Sequence, residues 1–166
     1  DYTELVRFVY SVDDVVPTIN SMLSKPGYRR MPEILDESEP HLTTEEALRR
    51  QSGRKPPPFT VGVFCSASTR NEVLINRAYQ LGKEIGSRDW GLMTGAGALS
   101  LMGAVNKGAH EVGGWTGGVN TPKIAALEEL PVTDWLRLVP DIYKRIDLMI
   151  ENAQGFFIEA GGMGTL

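Results

Sequence analysis

The stretch FTVGVFCSASTRNEVLINRAYQLGKEIGSRDWGLMTGAGA, residues 59–98, is where the fold can be read. Residues 59–65 (FTVGVFC) form a short apolar run, the pattern of a strand buried on both faces of a parallel sheet. Residues 66–71 are polar and read as a loop. Over residues 72–87 the apolar side chains Leu74, Ile75, Ala78, Leu81 and Ile85 recur at helical spacing. Residues 90–93 return to a strand pattern, and residues 94–98 make a glycine-containing turn. Strand, helix and strand in this order imply a right-handed crossover between parallel neighbours.

The alternation continues downstream. Residues 101–112 read as a helix with Met102, Val105 and Ala109 on the sheet side. Residues 113–121 hold four glycines and a strand ending near Asn120, and residues 135–139 give another strand. A helix is expected over 141–153, with Ile142, Ile146, Met149 and Ile150 on one side. A last strand, 156–159, leads into Gly161-Gly162-Met163-Gly164-Thr165. The prediction is an α/β fold, a Rossmann-like doubly wound parallel sheet.

Upstream the texture differs. Leu5, Val6, Val9 and Tyr10 suit one short amphipathic helix. Val15, Val16, Ile19, Met22 and Leu23 suit a second, stopped by Lys25-Pro26-Gly27. Residues 32–40 are acidic and loop-like. Thr43 and Glu46 have capping-box spacing for a helix running to Arg50, and residues 52–58, with three prolines, read as a linker. The expected organisation is a helical N-terminal extension with linker over 1–58 and a nucleotide-binding domain over 59–166. The second unit ends inside a motif, so it is expected to be cut short at its C-terminus.

Bulk properties narrow the function. The 166 residues are 42% hydrophobic and 23% charged, with a net charge of -4, ordinary values for a globular chain. An acidic balance argues against a nucleic-acid partner, which calls for a basic footprint; Arg49, Arg50, Arg54 and Lys55 are the cluster that would argue otherwise. One mononucleotide phosphate needs only a few N–H donors and an arginine. No apolar run reaches the ~20 residues of a membrane span, and the single Cys65 permits no intrachain disulfide. No membrane association is expected, and a reducing, cytoplasmic setting is.

Ligands of such sheets bind at the carboxyl ends of the strands. Three loops fall there: 66–71, 94–103, and the run from Gly161 onward. In Thr94-Gly95-Ala96-Gly97 the glycines allow a tight turn and close approach to an anion, and the next helix points its free N–H groups at the loop. Alone this is equally a plain strand-to-helix turn. The second glycine run, with Thr165 as a hydroxyl donor, could form an anion nest, and two such loops at neighbouring strand ends would share one site. Ser66 and Ser68 could bind phosphate or sugar, or simply cap a turn. Arg145 could reach a phosphate or ribose hydroxyl, pair with Asp141 four residues earlier, or be solvated. Cys65 reads as a small core residue, and Trp90, Trp115 and Trp135 as core or interface. His41 and His110 are isolated. No zinc spacing, Ser-His-Asp pattern or P-loop occurs, so neither a metal nor a cofactor is expected.

Taken together, Cys65-Ser66-Ala67-Ser68, Thr94-Gly95-Ala96-Gly97 with Leu101-Met102-Gly103, Arg145 with Met149, and Gly161-Gly162-Met163-Gly164-Thr165 resemble the LOG family. These are nucleoside 5′-monophosphate phosphoribohydrolases, often labelled "lysine decarboxylase-like". Residues 140–145 (PDIYKR) and the N-terminal extension look closer to the larger bacterial nucleotide 5′-monophosphate nucleosidases of that superfamily. The resemblance spans 59–166. It implies hydrolysis of the N-glycosidic bond of AMP or a similar nucleotide, to free base and ribose 5-phosphate, by a homodimer or homotetramer. Arg145 would be catalytic. Ser66, Ser68, Gly95, Gly97, Met102, Gly161, Gly162, Gly164 and Thr165 would hold the nucleotide. A non-catalytic nucleotide or cofactor carrier of the same fold is the alternative. The family pattern P-G-G-x-G-T-x-x-E departs here in Ala160 for proline, and its glutamate position falls two residues past Leu166. Ala96 and Ser100 stand where many members have glycine.

Overall fold

The structure, a computed structural model, describes residues 42–161. The two expected helices before residue 27, the loop at 32–40, His41, and Gly162, Met163, Gly164 and Thr165 lie outside the described residues. Within them the chain runs α1 (Thr44–Arg49), β1 (Thr60–Phe64), α2 (Glu72–Ser87), β2 (Gly91–Thr94), α3 (Ser100–Glu111), β3 (Thr116–Asn120), α4 (Pro122–Ala125), β4 (Trp135–Leu138), α5 (Ile142–Glu151) and β5 (Gly155–Ile158). The five strands form one parallel sheet in the order β4-β3-β2-β1-β5. This is the expected Rossmann-like α/β architecture. Only the one-turn α4, too short to show a period, had no counterpart in the sequence pattern.

Side-chain alternation sorts the two faces. Val61, Val63 and Leu92 point to one face, where they pack with Ile75, Tyr79, Leu81, Leu101 and Val105 of α2 and α3. Met93 and Val119 point to the other and meet Met149 of α5. The crossover through α5 therefore runs on the opposite face from α2 and α3, and it carries the chain from the β4 edge to the far side of β1. The strand order reverses at β1, so the crevice between the ends of β1 and β5 is the topological switch point.

Two contacts set the spacing of the layers. A methyl group on Gly82 would collide with the Val105 carbonyl oxygen, and one on Gly108 with the Tyr79 carbonyl oxygen. Helices α2 and α3 thus touch backbone to backbone, closer than side chains would permit.

Residues 42–58 lie on the same sheet. The Thr43–Glu46 capping box forms as the spacing predicts, and Arg50 is the C-cap. Ala47 and Leu42 pack with Ala96, Leu130 and Leu136, covering β3 and β4 beside α3. The edge strand β4 has its Leu136 N–H accepted by Gln51 Oε1 at 2.8 Å, which satisfies an otherwise open edge. The proline-containing segment is bound by Arg54. Its Nε and Nη2 donate to both Asp134 carboxylate oxygens at 2.8 and 2.7 Å, and its Nη groups also reach the Gly113 and Gly114 carbonyls. Ser52 donates to the same carboxylate, which in turn accepts the Thr116 amide at 2.9 Å. Burial alone would raise the Asp134 pKa, but these donors hold it below the usual carboxylate range. Arg54 is therefore committed to Asp134, and the basic cluster noted in the sequence does not stand as a free patch. No helix among the described residues is long and apolar enough to cross a membrane.

Candidate functional site

The carboxyl edge of the sheet is a rim of loops stitched together. The Ser66 amide donates to the Ala160 carbonyl at 3.0 Å, joining the loop after β1 to that after β5. The Ser100 hydroxyl donates to the Thr69 carbonyl at 2.8 Å, joining the loop after β1 to the start of α3. Arg145 of α5 closes the third join. Its Nε donates to the Val119 carbonyl at 2.9 Å and its Nη2 to the Gly95 carbonyl at 2.8 Å. Ser66, Gly95 and Arg145 thus belong to one connected rim, and Ser68 and Gly161 adjoin it in the chain. The two glycine loops are not direct neighbours, however. They follow β2 and β5, which flank β1 on opposite sides, so the β1 loop with Ser66 and Ser68 lies between them.

Each loop has its own chemistry. Ser66 Oγ accepts the amides of Ser68 and Thr69 at 3.1 and 3.2 Å, the turn-capping arrangement, and it also lies 3.4 Å from Ser68 Oγ, with either hydroxyl able to donate. In the β2 loop, the Ala96 amide donates to Thr94 Oγ1, that of Gly97 to Met102 Sδ at 3.0 Å, and that of Ala98 to the Glu129 carbonyl. A thioether is a weak acceptor, so the Gly97 N–H is capped only loosely. Ala96 and Ser100 both have φ of 57°, a left-handed conformation that glycine adopts without penalty. That is a physical reason for glycine at these positions elsewhere in the family. The Ser100 hydroxyl is given to Thr69.

Arg145 reaches over the sheet edge to two backbone carbonyls and is neither solvated nor paired with Asp141. Asp141 caps α5 by accepting the Lys144 amide at 2.9 Å, so it is not the arginine's partner. Gly95 is required beneath the guanidinium, because a methyl there would collide with Nη2. Burial pulls the Arg145 pKa below its ordinary value, with Glu128 the main charge acting against that. Among the described residues no carboxylate forms an ion pair with it. A cavity of about 30 Å³ opens beside it, lined by Val63, Cys65, Gly95, Met102, Arg145 and Met149 among others. Burial, with Glu159 adding, pushes the Cys65 thiol up to about 12, which leaves it an inert wall rather than a nucleophile. No group of three or more metal-ligating side chains occurs among the described residues.

Two carboxylates at this rim were not singled out in the sequence. Glu159 directly follows β5, with its side chain 7% exposed, and faces Arg77 Nε at 3.3 Å; burial raises its pKa against that partner. Glu128 sits on the irregular segment before β4, where no periodicity or motif marks it.

Residues 58–138 match the SLOG cluster4 family. The chain is 37% identical over 110 residues to a cytokinin riboside 5′-monophosphate phosphoribohydrolase of Mycobacterium tuberculosis, covering 65% of this chain and 58% of that one. It is 38% identical over 114 residues to the protein of the same name in Mycobacterium marinum, covering 68% and 60%. Over this stretch the chain is similar to the LOG-type phosphoribohydrolases. It spans about three-fifths of the length of these LOG relatives. Among solved structures, the molybdenum cofactor carrier protein of Chlamydomonas reinhardtii aligns with a TM-score of 0.55 at 30% identity, covering 68% of this chain and 66% of that one.

Proposed function

We propose that this domain carries the phosphoribosyl site of an N-glycosidic hydrolase, releasing free base and ribose 5-phosphate from a nucleoside 5′-monophosphate such as AMP. The observation that carries the reading is Arg145. A half-buried cation held by two carbonyls, with the Glu128 charge acting on it but no ion-pair contact among the described residues, has capacity left for an anionic ligand. A nucleotide phosphate is such an anion, and the relatives' names point to the same substrate class.

In this reading the 5′-phosphate sits in the switch-point crevice between the β1 and β5 loops. Ser66, Ser68 and Gly161 lie there, and Gly162, Gly164 and Thr165 follow in the chain. The amino ends of α2 and α3 face the same edge and favour negative charge. Arg145 anchors the phosphoribosyl group over Gly95, with Gly97 and Met102 alongside, and so fixes the anomeric carbon. As the glycosidic bond breaks, positive charge grows on the ribose ring, and a carboxylate stabilises it and orients water. The working setting is cytoplasmic and the assembly a homodimer or homotetramer, which light scattering of the full chain would test.

The experiment is base release from AMP, GMP, CMP, IMP and a cytokinin riboside monophosphate, followed by chromatography. Release that falls about 100-fold or more in Arg145→Ala supports the reading. Unchanged turnover in that variant removes Arg145 from the site. The likeness to the cofactor carrier favours a second reading, binding without turnover. Saturable nucleotide binding with no base released from any substrate would select it.

A further inference from the structure

The rim holds one carboxylate whose oxygens are unused. Among the described residues Glu128 makes neither a hydrogen bond nor an ion pair, whereas Glu159 is buried against Arg77 and Asp134 belongs to the Arg54 clasp at the other end of the sheet. Glu128 is also held in place. Its neighbours are pinned by the Ala98 amide on the Glu129 carbonyl at 3.0 Å and by the paired bonds between Leu42 and Leu130. A methyl group on Gly97 would lie 3.3 Å from Glu128 Oε2 and 3.1 Å from Met102 Sδ. The carboxylate therefore hangs over the glycine loop, on the side away from β1.

That placement decides what the loop can take. The amides of Ala96, Gly97 and Ala98 already have acceptors within the protein, and a negative charge stands over them. A phosphate there would meet repulsion in place of an anion nest. An ionised carboxylate is purely an acceptor, with two oxygens, and its natural partner is a neutral group offering two adjacent O–H donors.

We infer that Glu128 binds the 2′,3′-diol of the substrate ribose, so that it selects ribonucleotides over deoxyribonucleotides and orients the ligand with its phosphate toward β5 and its sugar hydroxyls over Gly97. This rests on the phosphoribosyl reading above. Glu128 is a specificity residue in this account, distinct from the group that stabilises the transition state.

The test uses the full chain with AMP and 2′-deoxy-AMP, measuring kcat/KM for each, together with inhibition by inorganic phosphate. The wild type prefers AMP by about 100-fold. In Glu128→Ala that preference collapses at least about tenfold through loss on AMP alone, and Glu128→Gln, which keeps one acceptor oxygen, falls between. Phosphate inhibition stays the same or tightens, because a negative charge has been removed. An AMP preference unchanged in Glu128→Ala overturns the inference, and so does weakened phosphate inhibition. If the wild type releases no base at all, the hydrolase reading fails separately. Equilibrium binding of the same two nucleotides to the same variants then decides on Glu128 by the same ratio. Glu128 is half-buried and its charge acts on the Arg145 guanidinium; thermal melts of both variants that match the wild type check that the fold is intact.

Discussion

Two arginines, Arg54 and Arg145, sit at opposite ends of the same sheet and are bonded in opposite ways. Arg54, below the amino ends of β3 and β4, has a carboxylate in bidentate contact and two carbonyls besides. Its charge is spent. Arg145, at the carboxyl edge, has two carbonyls and no paired carboxylate among the described residues. Carbonyl dipoles orient a guanidinium without neutralising it, so its charge remains available to a ligand. Hydrogen-bond counts alone would rank both as structural. The nature of the acceptors separates them.

The sharpest way to break the contrast is to remove each arginine in turn. Arg145→Ala is expected to lower kcat/KM for base release by about 100-fold or more while leaving the melting midpoint near that of wild type. Arg54→Ala should do the reverse. It leaves Asp134 with only the Ser52 and Thr116 donors, at a cost of about 1–3 kcal/mol in denaturant unfolding, with turnover per folded molecule unchanged. If Arg54→Ala alone lowered turnover in folded protein, the separation between the two ends would fail.

Gly95→Ala tests the same arginine without deleting it. The added methyl displaces Nη2, and a loss of about tenfold in turnover is expected from mispositioning. Wild-type turnover in Gly95→Ala would show that the guanidinium does not need this seat.

Acid provides a subtler probe of the clasp. The Asp134 carboxyl is depressed in the folded state, so its contribution is fully present above the unfolded value, about 3.9. It is lost as pH falls through the lower folded value. Asp134→Asn should therefore be less stable than wild type at pH 7, with the gap closing in urea titrations below about pH 4. A gap that is constant with pH would assign the effect to shape rather than charge.

The smallest effects concern backbone conformation. Asp89, exposed at φ 55° after α2, has no packing to lose, and Asp89→Gly should add about 0.5–1 kcal/mol of stability. Ala96→Gly relieves about 1–2 kcal/mol of left-handed strain but gives up a fully buried methyl worth about 0.8 kcal/mol. Thermal melts of Ala96→Gly should stay within about 1 kcal/mol of wild type. A large gain there would mean that the methyl against Gly118 is not packed.

What the sequence made legible was whatever repeats or carries a compositional signature. Strand and helix periods placed every long element within a residue or two. The Thr43–Glu46 box and the Asp141 region also stood out, although Asp141 proved to be a cap. Spatial order was not legible. Nothing in the chain places β5 beside β1, so two glycine loops that look like neighbours are separated by the Ser66 loop. Residues 52–58 read as a flexible connector because prolines and polar residues dominate, yet one arginine finding one aspartate eighty residues on fastens them. Glu128 was invisible for a related reason: it lies on an irregular segment, and its importance comes only from the loop it overhangs. Arg145 was singled out because it stands, with Met149, among the residues that resemble a family pattern.

The bare backbone contact at Gly82 and Gly108 has a reach beyond the helices that make it. Helices α2 and α3 are parallel, and their amino ends carry the loops that follow β1 and β2. Their spacing is thus a gauge set in the interior and read out at the mouth of the rim. A side chain inserted at either glycine would act as a wedge and spread those two loops together. On the proposed reading, the opening between Ser66 and Gly95 is therefore adjustable from positions deep between the two helices.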